Sequence, residues 1–285
     1  MNAPEKLFLP DVQSSPDERQ IVIQKVGVKS IRHPIQIQLS NGPQATIAQI
    51  DMTVRLAAHL KGTHMSRFLE ILQSHHAALD YESLKSMMES MLNRLEADAG
   101  HITIAAPIFI NKVAPISKVE SLLDYDVVYT LSSVDGVFSL EQEVRVPVTS
   151  LCPCSKKISD YGAHNQRSLI SMKTKINQAM PIERLIDIAE NAASCQLWGL
   201  LKRPDEKYVT EYAYDNPKFV EDLVRDIAVQ LQKMPEVSYY EVSSENFESI
   251  HNHSAYAWLC GPQQWTLLAT RHEAYWVKQF LSLPF

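Results

Sequence analysis

Leu151-Cys152-Pro153-Cys154-Ser155-Lys156-Lys157-Ile158-Ser159-Asp160-Tyr161-Gly162-Ala163-His164-Asn165-Gln166-Arg167-Ser168 is the stretch from which the rest of the chain can be read. It places two thiols and one imidazole on a single connecting segment. In an extended segment, residues i and i+2 project to the same side. Pro153, between the cysteines, fixes its own φ and contributes no amide donor. Both sulfurs are therefore expected to approach one spot, and Gly162 allows a turn sharp enough to bring His164 back towards them. Thiolate and imidazole are ligands of divalent transition metals: three protein ligands with an open position make a hydrolytic centre, and four make a structural one. The alternative is a pair of small buried hydrophobes beside a surface histidine.

Outward from this loop the chain alternates strand and helix signals. Residues 21–39 and 45–56 carry β-branched residues in partial alternation around Asn41-Gly42-Pro43, which predicts a hairpin with one or two bulges. Residues 66–74 place Phe68, Leu69 and Leu72 on one helical stripe. Residues 81–97 do the same with Leu84, Met87, Met88, Met91, Leu92 and Leu95, with Asp80 or Tyr81-Glu82 at the start. The methionine stripe reads as core. Strands are predicted over 101–113, 122–131 and 137–148. In the second half, residues 167–176 read as a strand, and Pro181 opens a helix expected to end near Gly199. Asn216-Pro217 is expected to cap a helix with Val220, Leu223, Val224, Ile227 and Leu231 on its buried stripe. Strands over 237–242 and 254–260 and an amphipathic helix over 263–283 complete the chain. The order strand-strand-helix-helix-strand-strand thus occurs twice, as an internal duplication would produce.

The 285 residues, 45% of them hydrophobic and 21% charged, suffice for one large core or two ordinary ones, and two are expected. Residues 1–20 are polar, hold Pro4, Pro10 and Pro16, and read as an extended or disordered arm. No long apolar run or secretory leader is apparent, so neither a membrane span nor export is expected, and the chain is expected in the cytoplasm. Four cysteines at 152, 154, 195 and 260 are too few and too uneven for a disulfide framework, so reduced thiols are expected. A net charge of −6 argues against a nucleic-acid partner, since phosphate-backbone binding calls for a broad cationic face. Two local exceptions are Lys156, Lys157, Arg167, Lys173 and Lys175 near the loop, and Lys202, Arg203 and Lys207 further on. They suit a small polyanion such as a nucleoside triphosphate; the alternative is solvated strand and turn surface.

Further acids and imidazoles have to be brought to the loop by the fold. Glu206 stands in Arg203-Pro204-Asp205-Glu206-Lys207, which reads as a turn, where carboxylates are usually solvated. Glu221 stands in the first turns of its helix, where a carboxylate commonly complements the macrodipole. His251 and His253 share one face of what reads as an extended segment.

The strings Pro147-Val148-Thr149-Ser150-Leu151-Cys152-Pro153-Cys154-Ser155-Lys156 and Tyr161-Gly162-Ala163-His164-Asn165-Gln166-Arg167-Ser168 closely resemble those of the type IB GTP cyclohydrolases. The resemblance extends to Gly62-Thr63-His64-Met65-Ser66-Arg67-Phe68, to Leu201-Lys202-Arg203-Pro204-Asp205-Glu206-Lys207-Tyr208-Val209-Thr210-Glu211 and to Asn216-Pro217-Lys218-Phe219-Val220-Glu221-Asp222. It implies an α+β tunnelling fold of two tandem ββααββ units with an antiparallel sheet and helices on one face, with units over 21–148 and 149–285. It implies that Cys152, His164 and Glu206 surround a catalytic divalent metal (zinc, manganese or iron), with Cys154 close by and interchangeable with Cys152. His251 would be the general acid/base and Glu221 the purine anchor, a carboxylate matching the donor-donor edge of guanine. The implied reaction is hydrolysis of GTP to formate and 7,8-dihydroneopterin triphosphate, at the entry to folate and pterin synthesis. No organic cofactor is implied, and a homotetramer with sites between subunits is. A rival within the same fold is the nitrile reductase of the queuosine pathway, whose signature is absent; a rival of another class is a metal-stabilised binding module without turnover.

Overall fold

A computed structural model describes residue 13 and residues 15–262. The expected helix over 263–283 lies outside the described residues, as does most of the arm. The described end of the arm lies alongside residues 59–62, with Asp17 N donating to His59 O at 2.9 Å and Gly62 N to Gln13 O at 3.1 Å.

Alternation of apolar and polar residues makes the strands. β1 (Ile23–Leu39) and β2 (Gly42–Leu56) form the expected hairpin, and its register shifts twice, between Ile23 and Val26 and between Val28 and Ile31. At the second bulge Ser30 takes a φ of 59° and its amide donates to Asp51 Oδ1 at 2.7 Å. α1 (Met65–Ser74) and α2 (Tyr81–Leu95) follow. Asp80 caps α2 in a reciprocal pair with Ser83. β3 (Ala99–Val113), β4 (Glu120–Val134) and β5 (Val137–Leu151) then run as consecutive antiparallel strands. The short α3 (Pro153–Ile158) leads to β6 (Asn165–Ile176). α4 (Glu183–Ala192), α5 (Arg203–Asp215) and α6 (Val220–Leu231) precede β7 (Val237–Asn246) and β8 (Ala255–Pro262).

All eight strands belong to one sheet in the order of the sequence, each antiparallel to the next. Cross-strand partners share a face. The row Ala106, Val127, Val144, Met172, Val242 and Leu259 runs across six strands and is buried or half-buried beneath the helices. The neighbouring row Asp126, Arg145, Ser171, Ser243 and Trp258 points the other way. Phe68, Ile71, Met88 and Met91 of the first helix pair and Leu185, Ile186, Leu223 and Ile227 of the second group cover the apolar face. They join it in one continuous core. The fold is therefore α+β, and the pattern ββ-helices-ββ occurs twice along a single sheet; a division between residues 148 and 149 falls within β5.

Three helical expectations need correction. The segment 203–207 is not a turn but the start of α5. The helix opened near Pro181 stops at Ala192 instead of near Gly199, because residues 193–200 are used elsewhere in the packing. Asn216 ends α5, and Phe219, without a side-chain cap, begins α6.

Candidate active site

Antiparallel order decides which loops meet. The β3–β4, β5–β6 and β7–β8 connections all leave the same end of the sheet, and because β6 pairs with β7 the last two are neighbours. The helices of the second half come to this end as well. α4 rises towards it, since Cys195 just beyond it bridges to Thr149 at the end of β5. α5 lies across it, from Asp205 beside the β3–β4 turn to Tyr214 beside Lys156. α6 descends from it, since Lys218 N donates to Leu151 O at 3.1 Å.

Cys152 is half-buried and is the N-cap of α3, its Sγ accepting from Ser155 N at 3.5 Å; Pro153 occupies the first turn. This corrects the extended reading of Cys152-Pro153-Cys154: the chain turns helical at Pro153, so Cys154 stands exposed on the helix and the two sulfurs are not set side by side by a strand. Gly162, at φ 114°, makes the expected turn. Its consequence is direct: Cys152 N donates to His164 O at 3.1 Å, closing the loop on itself, and Ser155 Oγ bonds both Cys152 O and His164 N at 3.2 Å.

The His164 ring is largely buried. Its Nδ1 is 3.0 Å from Gln166 Oε1, 3.5 Å from Ser249 Oγ and 3.9 Å from Glu248 Oε2. Glu248, equally enclosed, is a functional candidate the sequence did not single out. No spacing rule ties it to a loop some 80 residues earlier; only the β6–β7 pairing brings it there. His251 stands three residues further along the same β7–β8 loop. It is not on an extended strand as expected but in a bend, exposed and stacked on His253 with ring centroids 5.1 Å apart. Glu221 is exposed in the first turn of α6, immediately after the Lys218 contact with Leu151.

Glu206 does not join this group. It lies exposed in the first turn of α5, eight residues and about 12 Å along the helix axis from Tyr214, which accepts from Lys156 of the Cys152 loop. The neighbouring Asp205 is instead the buried acid, accepting from Ile116 N and Ser117 N at 2.8 Å, from Ser117 Oγ at 2.6 Å and from Lys202 N at 2.8 Å. Burial opposes its ionisation, but these hydrogen bonds outweigh it and hold the carboxyl well below the usual carboxylate range. Among the described residues no three His, Cys, Asp or Glu side chains converge to hold a metal ion. A thiol and an imidazole are side chains of the kind that bind a transition metal.

Of the basic residues near the loop, Lys156 is engaged: its Nζ donates to Tyr214 O at 2.5 Å and lies 4.2 Å from that ring's centroid. Lys173 is paired with Glu141 at 3.1 Å. Cys195 is buried, and burial pushes its thiol up to about 11, which leaves it an inert core residue. No helix of the described residues is long and apolar enough to cross a membrane.

Comparison with known proteins identifies the family. The family described as Type I GTP cyclohydrolase folE2 matches residues 9–257. The chain is 58% identical over 250 residues to GTP cyclohydrolase FolE2 2 of Dechloromonas aromatica (strain RCB), covering 87% of this chain and 93% of that one. It is 55% identical over 259 residues to GTP cyclohydrolase FolE2 of Azoarcus sp. (strain BH72), covering 90% and 96%. Among solved structures it is similar to a uricase from Arthrobacter globiformis, with a TM-score of 0.52 at 9% identity over 88% of this chain and 97% of that one. That likeness concerns the fold alone and agrees with the tunnelling-fold expectation. With the family match spanning the Cys152 loop, the β7–β8 loop and the helices between them, this chain belongs to the type I GTP cyclohydrolase folE2 family.

Proposed function

We propose that this protein is a GTP cyclohydrolase. It opens the imidazole ring of guanine in GTP by hydrolysis, releases C8 as formate, and recloses the remainder as 7,8-dihydroneopterin triphosphate. The observation that carries the reading is the meeting of the β5–β6 and β7–β8 loops at one end of the sheet, where His164 of one touches Glu248 and Ser249 of the other. The start of α6 is tied to the base of the same loop.

The roles follow from chemistry and place. Glu221, exposed at the α6 start, accepts from the ring amide and exocyclic amine of guanine. His251, on the adjoining loop, exchanges protons with the ring nitrogens, imidazole being the side chain suited to that task near neutral pH. Cys152 and His164 face the position to be hydrolysed, with Cys154 exposed beside them. The balance is two waters consumed, one in opening the ring and one in freeing the formyl group, and one released on reclosure. The divalent zinc, manganese or iron expected from the family resemblance is proposed with Cys152, His164 and Glu206 as its protein donors, brought together in an assembly of copies. The assembly proposed is a homotetramer in the cytoplasm, using no organic cofactor and no nucleic acid.

Incubation with GTP tests this: release of formate, with neopterin fluorescence after oxidation, is expected. Oxidation of a nicotinamide cofactor with a deazapurine nitrile, or binding of GTP without turnover, contradicts it. Relatives named as GTP cyclohydrolases throughout give neither rival support.

A further inference from the structure

Residues 193–200, between α4 and α5, fill a split in the sheet directly beneath the Cys152 loop. β4 and β5 are paired from Val134↔Val137 only as far as Asp126↔Arg145, and beyond that point β5 continues to Leu151 without β4 beside it. The inserted segment takes that place. Thr149 N donates to Cys195 O at 2.9 Å, Cys195 N to Thr149 O at 3.3 Å, and Leu151 N to Ser194 Oγ at 3.0 Å. On the β4 side, Leu200 N donates to Ser121 Oγ at 3.1 Å. Gly199 packs so closely that a Cβ there would lie 2.6 Å from Leu122 O.

A buried polar frame pins the segment. Lys112 Nζ, from β3, donates to Glu190 Oε2 of α4 and to Gln196 Oε1, each at 2.5 Å, and Tyr125 OH donates to Glu190 Oε1 at 2.6 Å. Glu190 and Gln196 bracket Ser194, which is fully buried. Side-chain exposures of 10% for Lys112 and 6% for Glu190 mean that both charges are largely removed from water. Apolar residues of similar volume commonly replace such a pair without loss of stability, so stability alone does not account for it. Its position does. Leu151 is the residue before Cys152; its amide is held by Ser194, its carbonyl by Lys218 N, and the next amide closes the catalytic loop onto His164.

We infer that Ser194 is a positioning residue for the cyclohydrolase reaction, its hydroxyl fixing the strand end from which Cys152 departs, and that Lys112, Glu190, Tyr125 and Gln196 hold that hydroxyl in place. The inference rests on the function proposed above. Two variants test it: Ser194→Ala, and the combined Lys112→Met/Glu190→Leu/Tyr125→Phe, which replaces the frame by apolar groups and keeps the fold accessible if the single variant does not fold. Both are expected to melt cooperatively and to keep the KM for GTP, while kcat falls by roughly one to two orders of magnitude, as a small misplacement of a reacting group produces. Amide exchange at Leu151 and Cys152 is expected to quicken in both while the core strands keep their protection. Wild-type kcat in either variant overturns the inference. So does a loss of activity that tracks global stability with exchange at Leu151 and Cys152 unchanged. The exchange measurement makes no use of GTP: if the wild-type protein releases no formate yet the variants loosen Leu151 and Cys152 as stated, the reaction is misassigned while the positioning is supported.

Discussion

The backbones of Cys152 and His164 meet because of Gly162 and Ser155, one supplying the turn and the other bonding both ends of the loop. That much could be read from the string itself, as could the chemistry of a thiol and an imidazole. The error at this scale concerned Cys154. Proline after a capping residue is a helix-start signal, but α3 has only six residues and buries none of them, so no apolar stripe accompanies that signal. Glu248 was invisible for the opposite reason, since its role is conferred by strand pairing and by no local pattern. Replacing His251 by Ala is expected to lower kcat for formate release by about 10²–10⁴-fold, the usual share of a general acid/base. Glu248→Gln is expected to cost about 10- to 100-fold through the loss of His164's carboxylate neighbour. Steady-state kinetics with GTP checks both, and wild-type rates in either variant would remove that residue from the site. Asp205 predicts a pH dependence. Its carboxyl is held below its ordinary value, so the stability it contributes is complete above the unfolded carboxylate pKa of about 3.9 and is lost as the pH falls towards the folded value. The thermal midpoint of Asp205→Asn should therefore lie below that of the wild type at neutral pH, and the gap should close in acid. A gap independent of pH would contradict it.

Elements were legible where burial is periodic. The strands and α2 announce themselves by alternation and by the helical stripe, of which Leu84, Met87, Met88, Met91 and Leu95 are buried and Leu92 is half-buried. α5 did not, because Arg203–Asp215 lies across the end of the sheet and buries only Asp205 and Ala213. With almost no apolar stripe, its surviving signals were Pro204 in the first turn and Asp205 three residues after Lys202, whose amide it accepts. Residues 193–200 misled in the reverse sense. They are apolar enough to extend α4, but their hydrogen bonds go to β4 and β5. At this scale Met91→Ala, at a position with no exposure in the core between α2 and the sheet, is expected to cost about 2–5 kcal/mol of unfolding free energy. Denaturant titration measures this. A cost near zero would mean that the helix layer repacks freely over the sheet.

At the scale of the whole molecule, one sheet carries both ββ-helices-ββ halves, and among the described residues its outermost strands are β1 and β8. Tyr256 and Trp258 on β8 remain 63% and 53% exposed, on the face of the sheet away from the helices. The tetramer proposed above predicts a sedimentation mass near four times 32.3 kDa. A monomer at working concentrations that is fully active and binds metal would refute the need for a second chain's donor. What the sequence could not show at this scale is the path of α5, which carries Glu206 in its first turn and crosses the end of the sheet from the β3–β4 turn to Lys156. The central claim, that the Cys152 and His251 loops form a site that excises one carbon of guanine, is tested most directly by incubating the protein with GTP labelled at C8. The label is expected to appear as formate, in equal amount with unlabelled dihydroneopterin triphosphate; label retained in the purine, or released with no pterin formed, would contradict it.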